Sequence, residues 1–478
     1  MELESLSIPE IKEEELTPLV KTLLKIVAQQ QTIINEQSKR ISELEAKVAK
    51  LEKNSSNSSK PPSSDITKPK SEQRQKGKRK KGGQKGHKAN WRKIFEPEEI
   101  DKRRKIELKI CPDCKGPLQQ TGNTKTHQQA ELVKKPVIVT EYTIIESSCP
   151  CCNKVVTPEL PVGVIPKELL GPRLITLFGY MKAAMGVSIT QLAEFSGEVL
   201  SLKLSRAAIQ NTIFKVSDSL TPSYDELKEV VPKQKVLNID ETGWKENGSR
   251  YWVWVFCNMQ IAFFTINKSR GYKVLAEVLG ESYSGALISD FYSAYVKYAS
   301  VKQQFCLAHL IRDIKYLTTL KDEKTKKFGL KMLAYMRRLF KLWHSRSTFT
   351  QEEWKKKTSR FRKEFSNYLW SCKFEKKTDA NRIHRRCLKH FDANLRFLDD
   401  PDLYEPTNNH AERVVRHIVQ LRRASQGSRS YRGRQWSAKA ATALATCKLQ
   451  KRSSWSFLLQ TVNAHYFNGL RPSLVTAP

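Results

Sequence analysis

The sequence holds no run of the roughly 18–20 uninterrupted apolar residues that a bilayer-spanning helix needs, so no membrane span is expected. Its opening, MELESLSIPEIKEEE, lacks the basic and apolar segments of a secretory signal, and a cytoplasmic chain is expected. Cytosolic thiols stay reduced, which excludes a disulfide framework as the purpose of the ten cysteines. Acidic residues are scarce: 49 Asp+Glu stand against 84 Lys+Arg, a formal charge of +35 with a pI near 9.8. That excess rules out a charge-balanced surface and points to a polyanionic partner, DNA or RNA, whose phosphates exchange counterions for Lys and Arg. A basic, ribosome-associated protein is the plainer alternative.

At 478 residues there is room for about three domains, and the text changes character several times. Over 1–53, Val20, Leu23, Val27, Ile34, Ile41, Leu44, Val48 and Leu51 recur at heptad spacing with Gln30 and Gln37 on the same seam. The pattern predicts a coiled coil and hence a homo-oligomer, or else one amphipathic helix packed on its own domain. Residues 54–100 run from NSSNSSKPPSSD into KPKSEQRQKGKRKKGGQKGHK, a flexible linker followed by a basic arm. Lys78, Arg79, Lys80, Lys81 and Lys85 are too dense to pack together and suit a phosphate backbone better than a core.

Residues 101–163 carry Cys111-Pro-Asp-Cys114 and Cys149-Pro-Cys151-Cys152. Two Cys-x-x-Cys pairs, 111/114 and 149/152, supply the four thiolates of a structural Zn²⁺ site, with Cys151 crowding the second pair. His127, in the spacer, reads as a surface residue. Residues 164–230 read as helices, and SITQLAEFSG with LSRAAIQNTIFKVSDSL fits either a helix-turn-helix or a helical spacer.

From 231 the hydrophobic period changes from 3.6 to 2. KVLNIDET, RYWVWVFCN and QIAFFTINKS predict three antiparallel strands, GYKVLAEVLG a helix, GALISDFYSAY a fourth strand, and QQFCLAHLIRDI a strand entering a helix. Acids end the first and fourth strands, Asp240 and Asp290, in the order of a ribonuclease-H-like α/β core whose topology makes those strands neighbours. Paired carboxylates there repel unless a divalent cation with a taste for oxygen joins them. Residues 315–405 read as a basic helical insertion, and 406–478 return to the core with PTNNHAERVVRHIVQLRR. There Asn408 or Asn409 can cap a helix bearing Glu412, which is either salt-bridged among Arg413, Arg416, Arg422 and Arg423 or a third metal ligand. Trp244 reads as a core residue in preference to a base-stacking one.

The order of coiled coil, Ser/Asn/Pro linker, GGQKGH arm, paired cysteines, IDETGW, SDFYSAY, QFCLAHLIRD and NNHAER resembles the IS66 family of transposases of bacterial insertion sequences. The resemblance implies a multidomain α+β protein of the DDE type, acting on double-stranded DNA at element ends and target. It implies Asp240, Asp290 and Glu412 as catalytic ligands of Mg²⁺ or Mn²⁺, with Glu241 in the motif but outside the ligand set. It also implies a phosphate-orienting part for His309 and Arg312 of the Cys-x-x-His stretch, DNA contacts through Arg413 and Arg416, a place at the bacterial nucleoid, and possible accessory proteins. Lys85 stands where the family commonly has proline. A transposase-derived DNA-binding protein that no longer cuts, and a nuclease that hydrolyses without joining, are the alternatives.

Overall fold

The computed structural model describes residues 17–51, 95–118, 126–148, 150–152, 155–298 and 302–475. The linker, the basic arm with Lys78, Arg79, Lys80, Lys81 and Lys85, and Cys149 lie outside these residues. The chain divides into two compact units, Lys70–Lys182 with Val187–Ile213, and the remainder.

The first helix, α1 (Pro18–Leu51), runs for 34 residues. Its heptad residues Leu23, Val27, Ile34, Ile41, Leu44, Val48 and Leu51 are all exposed on the single chain. Among the described residues of the cysteine-bearing stretch, the strands form an antiparallel ladder of two residues each, β1 (Ser147–Ser148) with β2 (Val155–Val156).

Helices then follow: α2 (Pro172–Tyr180), α3 (Ile189–Glu198), α4 (Arg206–Ser219) and α5 (Thr221–Val230). Helix α3 starts on a capping box in which Ser188 Oγ accepts from Gln191 N and the Gln191 side chain accepts from Ser188 N. The connection 199–205 to α4 is longer than the roughly 3–4 residues of a helix-turn-helix turn, and Ser196 closes it by donating to Leu202 O at 2.7 Å.

The second unit is built on a five-stranded mixed sheet of β3 (Val236–Glu246), β4 (Ser249–Cys257), β5 (Ala262–Asn267), β6 (Ala286–Ser289) and β7 (Gln303–Phe305), in the order β5-β4-β3-β6-β7. Local chemistry sets the antiparallel half. Asn247 and Gly248, at φ 45° and 82°, form the two-residue turn between β3 and β4, which requires left-handed backbone at both positions. At the next turn Asn258 Oδ1 accepts from Gln260 N and Ile261 N, at 2.8 and 3.0 Å. The chain then crosses through α6 (Lys273–Leu279) to lay β6 parallel to β3, and through α7 (Ser293–Lys297) to lay β7 parallel to β6.

Side-chain alternation gives the sheet two buried faces. Trp244, Val253, Val255 and Cys257 share one face with residues of α13 (Asn409–Ser425) and α14 (Tyr431–Leu449), introduced below in chain order. Leu237, Ile239, Trp254 and Phe256 point the other way and are fully buried. After β7 come α8 (Leu307–Leu317), then the expected helical insertion of α9 (Glu323–His344), α10 (Gln351–Ser371), α11 (Asp379–Lys389) and α12 (Phe391–Leu395), then α13, α14 and α15 (Ser454–Phe467). Helices α9, α10 and α11 start on Asp322, Thr350 and Thr378, whose side chains accept from Thr325 N, Glu353 N and Asn381 N. The insertion is no separate body: Leu310 and Ile314 of α8, Ala286 and Ile288 of β6, and Ile383 and Cys387 of α11 belong to one apolar cluster.

Candidate active site

Strand register aligns the first two acids. Asn238 pairs with Ile288 across the parallel β3–β6 ladder, so Asp240 and Asp290 each lie two residues past matched positions. A two-residue step returns the Asp240 side chain to the face of Asn238, midway along β3, while Asp290 follows the last residue of β6; both stand just past the β3–β6 ladder, close enough for the charge of Asp290 to raise Asp240. Glu241, one residue on, must point to the opposite face.

The third acid arrives by a buried hydrogen-bond clamp. Asn408 sits at the N-cap of α13, but its side chain does not cap the helix. Its Nδ2 donates to Ile239 O at 2.8 Å, and its Oδ1 accepts from Asn238 Nδ2 at 3.0 Å, so the start of α13 is fixed to β3 just before Asp240. Cys306 Sγ accepts from Asn408 N at 3.1 Å, and His410 bonds Asn258 O at 2.7 Å through Nε2. Four residues past the cap, in the first turn of α13, Glu412 comes close enough for its charge to act on Asp240. Of the two expected caps, Asn408 or Asn409, Asn408 holds the N-cap position, but its side-chain partners are remote in sequence, and only the folded chain shows them.

Around Glu412 Oε1 stand His309 Nδ1 at 3.8 Å and Arg312 Nη2 at 3.6 Å, both from α8. Burial and the nearby Arg312 and Arg386 charges push the His309 pKa down to about 4, so the imidazole is neutral at neutral pH and its approach to Glu412 is no ion pair. Glu412 Oε1 is buried and accepts no hydrogen bond from the described residues. One ligand atom each from Cys306, His309 and Glu412 fall within 4.8 Å of one another.

Asp240 is held well above the usual carboxylate range, first by burial and then by the charges of Glu241, Asp290 and Glu412. Asp290 is also raised by burial, although Tyr292 N donates to its Oδ1 at 2.8 Å and Arg270, Arg312 and Arg386 favour its ionised form. Mutually repelling carboxylates with an orphaned acceptor oxygen among them fit a hard divalent cation, which supplies the missing positive charge and takes oxygen ligands.

Glu241 answers to a different environment. Its side chain is 2% exposed, and Arg270 grips Oε1 with Nε at 3.0 Å and Nη2 at 2.7 Å. Tyr295 donates to Oε2. The Arg270 guanidinium lies 4.4 Å from the Trp252 ring centroid and 3.9 Å from that of Tyr292. Burial and the charge of Asp290 raise Glu241 to about 7 despite these partners. Arg270, Tyr295 and Arg386 were not found from the sequence. Arg270 follows a strand in the ordinary loop text NKSRG, and Arg386 is one of many cations in the insertion.

Of the other expected residues, Arg413 and Arg416 are exposed on α13, and Trp244 is core, 3% exposed, with its indole N–H donating to Ser428 Oγ at 3.1 Å. Arg422 is spent on β3, donating from Nη1 to Thr242 Oγ1 at 2.9 Å. Cys111 and Cys114 occupy a tight turn in which Cys111 N donates to Gly116 O at 2.8 Å and Lys115 takes φ 63°. Backbone N–H groups of Cys114 and Asp113 lower the Cys111 thiol pKa, the polarity a metal thiolate needs. Cys151 and Cys152 are exposed at the tip of the β1–β2 ladder.

Comparison with known proteins gives two family matches. The model of a family of unknown function (DUF6444) covers residues 6–93. No curated protein matches the chain. The model described as transposase IS66 family covers residues 167–436, more than half of the chain and all of the elements that carry Asp240, Asp290 and Glu412. The chain belongs to the IS66 family of transposases.

Proposed function

We propose that this transposase binds the ends of its insertion sequence, cuts DNA there and joins the freed ends to target DNA, with Asp240, Asp290 and Glu412 as its catalytic triad. The observation that carries the reading is the convergence of three carboxylates, remote in sequence, just past the parallel β3–β6 ladder and at the start of α13. A strand order of 3-2-1-4-5, counted within the sheet, with this placement of acids supports a ribonuclease-H-like core.

Divalent Mg²⁺ or Mn²⁺, when bound, supplies positive charge to the attacking and leaving oxygens of in-line phosphoryl transfer. The chain supplies the rest. Asp240 and Asp290 give oxygen ligands fixed by the ladder, and Glu412 a third fixed by Asn408. Neutral His309 and the Arg312 guanidinium border the same oxygen cluster, Arg312 as a cation for a phosphate. In the first step a water oxygen bonds to phosphorus and the 3′-oxygen leaves as a hydroxyl. In the second that hydroxyl oxygen attacks a target phosphodiester, forming one P–O bond and releasing another target 3′-hydroxyl.

The remaining parts fit DNA handling: the basic arm for phosphates, the paired cysteines for a structural Zn²⁺, and the exposed α1 seam for a homo-oligomer that brings two ends together. An inactive DNA-binding descendant would have no need of all three acids. The test is a strand-transfer assay with linear DNA carrying the inverted repeats that flank the gene and a supercoiled target plasmid. Joined products that depend on Mg²⁺ or Mn²⁺ are expected. End binding without any nicking or joining overturns the enzymatic reading, and nicking alone makes the protein a nuclease.

A further inference from the structure

We propose that helix α11 of the insertion forms a second phosphate-binding site, a pocket that holds the backbone of the DNA strand as it passes Asp290. The proposal rests on the reading of the chain as a DNA transposase. The pocket, of about 700 Å³, is lined by Lys377, Arg382, Arg385, Arg386, Lys389 and His390 among others. Asp379 is the only acid among the described residues that line it, and it is already engaged with Arg382 at 3.0 Å.

The sequence of α11 makes this surface. Ile383, His384 and Cys387 are buried against the insertion core, while Arg382, Arg385 and Lys389 are exposed. From Arg382 to Lys389 the cations span ~10 Å along the helix axis. That distance covers about three successive phosphates of one DNA strand. Cations this close repel one another, and a polyanion would relieve the repulsion as it released its counterions.

Arg386 links the pocket to the site of the acids. Arg386 pairs with Asp313 Oδ2 at 2.8 Å and lies 4.3 Å from the ring centroid of Phe291, the residue after Asp290. Phe291 stacks on Phe305, the last residue of β7, at 4.1 Å, and His390 meets both rings edge-on, at 5.8 and 5.3 Å. Arg386 Nε and Nη2 are buried and have no hydrogen-bond partner among the described residues. Its charge acts on both Asp290 and His309. A strand lying in the pocket, with its phosphates on α11, is therefore led toward Asp290 by way of Arg386, which lines the pocket and packs on Phe291.

The test compares two triple variants of the full-length protein. One is Arg382→Ala/Arg385→Ala/Lys389→Ala. The other, Lys355→Ala/Lys356→Ala/Lys363→Ala, removes the same charge from exposed positions on α10. Binding of a fluorescein-labelled 40-base-pair duplex is followed against salt concentration. The pocket variant should lower the slope of log affinity against log salt by about 2–3, at roughly 0.9 per lost phosphate contact, and weaken binding on the order of tenfold. The control should change neither to that degree. Equal effects of both triples would mean that only net charge matters, and no effect of the pocket triple would mean that DNA does not lie there; each overturns the proposal. The single variant Arg385→Glu, read in the same way, decides the matter should the triple melt early. Wild-type protein that fails to bind the duplex at all overturns the transposase reading itself, which separates the two failures.

Discussion

The stretch 101–163 and the sheet unit from 236 onward carry similar apolar residues but use them in opposite ways. In the sheet unit Ile239, Val253, Val255, Phe256 and Phe264 are essentially inaccessible. In the cysteine-bearing stretch Ile106, Ile138 and Ile145 are 93%, 89% and 71% exposed, and Val137 is the one buried hydrophobic among its described residues. At about 25 cal/mol per Å² of apolar surface removed from water, the first region stabilises itself and the second cannot. The difference teaches where external help enters. The sheet unit can even hold carboxylates that repel, whereas for the cysteine stretch we propose an organiser, a structural metal ion or a bound macromolecule.

Substitutions should separate the regions most sharply at the acids. Asp240→Asn, Asp290→Asn and Glu412→Gln are each expected to lower strand cleavage by at least ~10³-fold while leaving end binding intact, because each removes a fixed charge from the reacting centre. Gel assays of cleavage and binding on the same preparations check this. Cleavage at the wild-type rate by any one of them would take that residue out of the site.

A metal-free cysteine stretch should fail without disturbing the sheet. We expect about one zinc per chain by elemental analysis, and Cys111→Ser or Cys114→Ser to lose it, since structural zinc contributes roughly 10–16 kcal/mol to small sites. Limited proteolysis should then cut within 101–163 while the main thermal transition stays in place. Purified protein without zinc would break the comparison, leaving DNA or another chain as the organiser.

The same contrast explains what the sequence disclosed. Short apolar runs carrying Asp240 and Asp290 mark the strands and their acids, because a strand buried on both faces leaves little freedom in residue choice. The heptads of α1 and the cysteine pairs were equally plain as local patterns. The Asn238–Asn408 clamp was hidden, for it joins residues whose local text reads as strand and cap. So were the partners of Glu241: the family resemblance sets Asp240 apart from it but names neither Arg270 nor Tyr295. Adjacent acids look alike in a sequence, and the pleat sends one toward α13 and the other to Arg270 and Tyr295.

Within the sheet unit, Gly427 tests how tightly the end of β3 is held. It takes φ 112°, and a Cβ there would lie 2.1 Å from Lys245 O, the oxygen that accepts from Ser428 N at 2.9 Å. Gly427→Ala should cost about 2–4 kcal/mol, combining a strained backbone with a forced shift of β3. Chemical denaturation would show this as a lower midpoint with unchanged slope. A variant as stable as the parent would mean that the β3 end is as loosely held as the cysteine stretch.

The smallest effect concerns the electrostatic load that the packed unit tolerates. Glu241 titrates near 7 in the folded protein against an ordinary value of 4.5, so between these values the folded state binds more protons than the unfolded chain. Stability from this group is fully present below about 4.5 and is lost as pH rises toward 7. Glu241→Gln removes that dependence, though it also weakens the hold on Arg270 by an amount that does not change with pH. The variant should therefore gain on the parent, by on the order of 1 kcal/mol, between pH 5 and pH 8 in metal-free buffer. The informative quantity is the change in the difference between the two melting curves, since the titration of Asp240 and Asp290 enters both. A difference that stays constant across that range would show Glu241 to be ionised throughout, with Arg270 and Tyr295 fully offsetting its burial. The packed unit would then carry less internal repulsion than its geometry indicates, and its contrast with the cysteine stretch would rest on apolar burial alone.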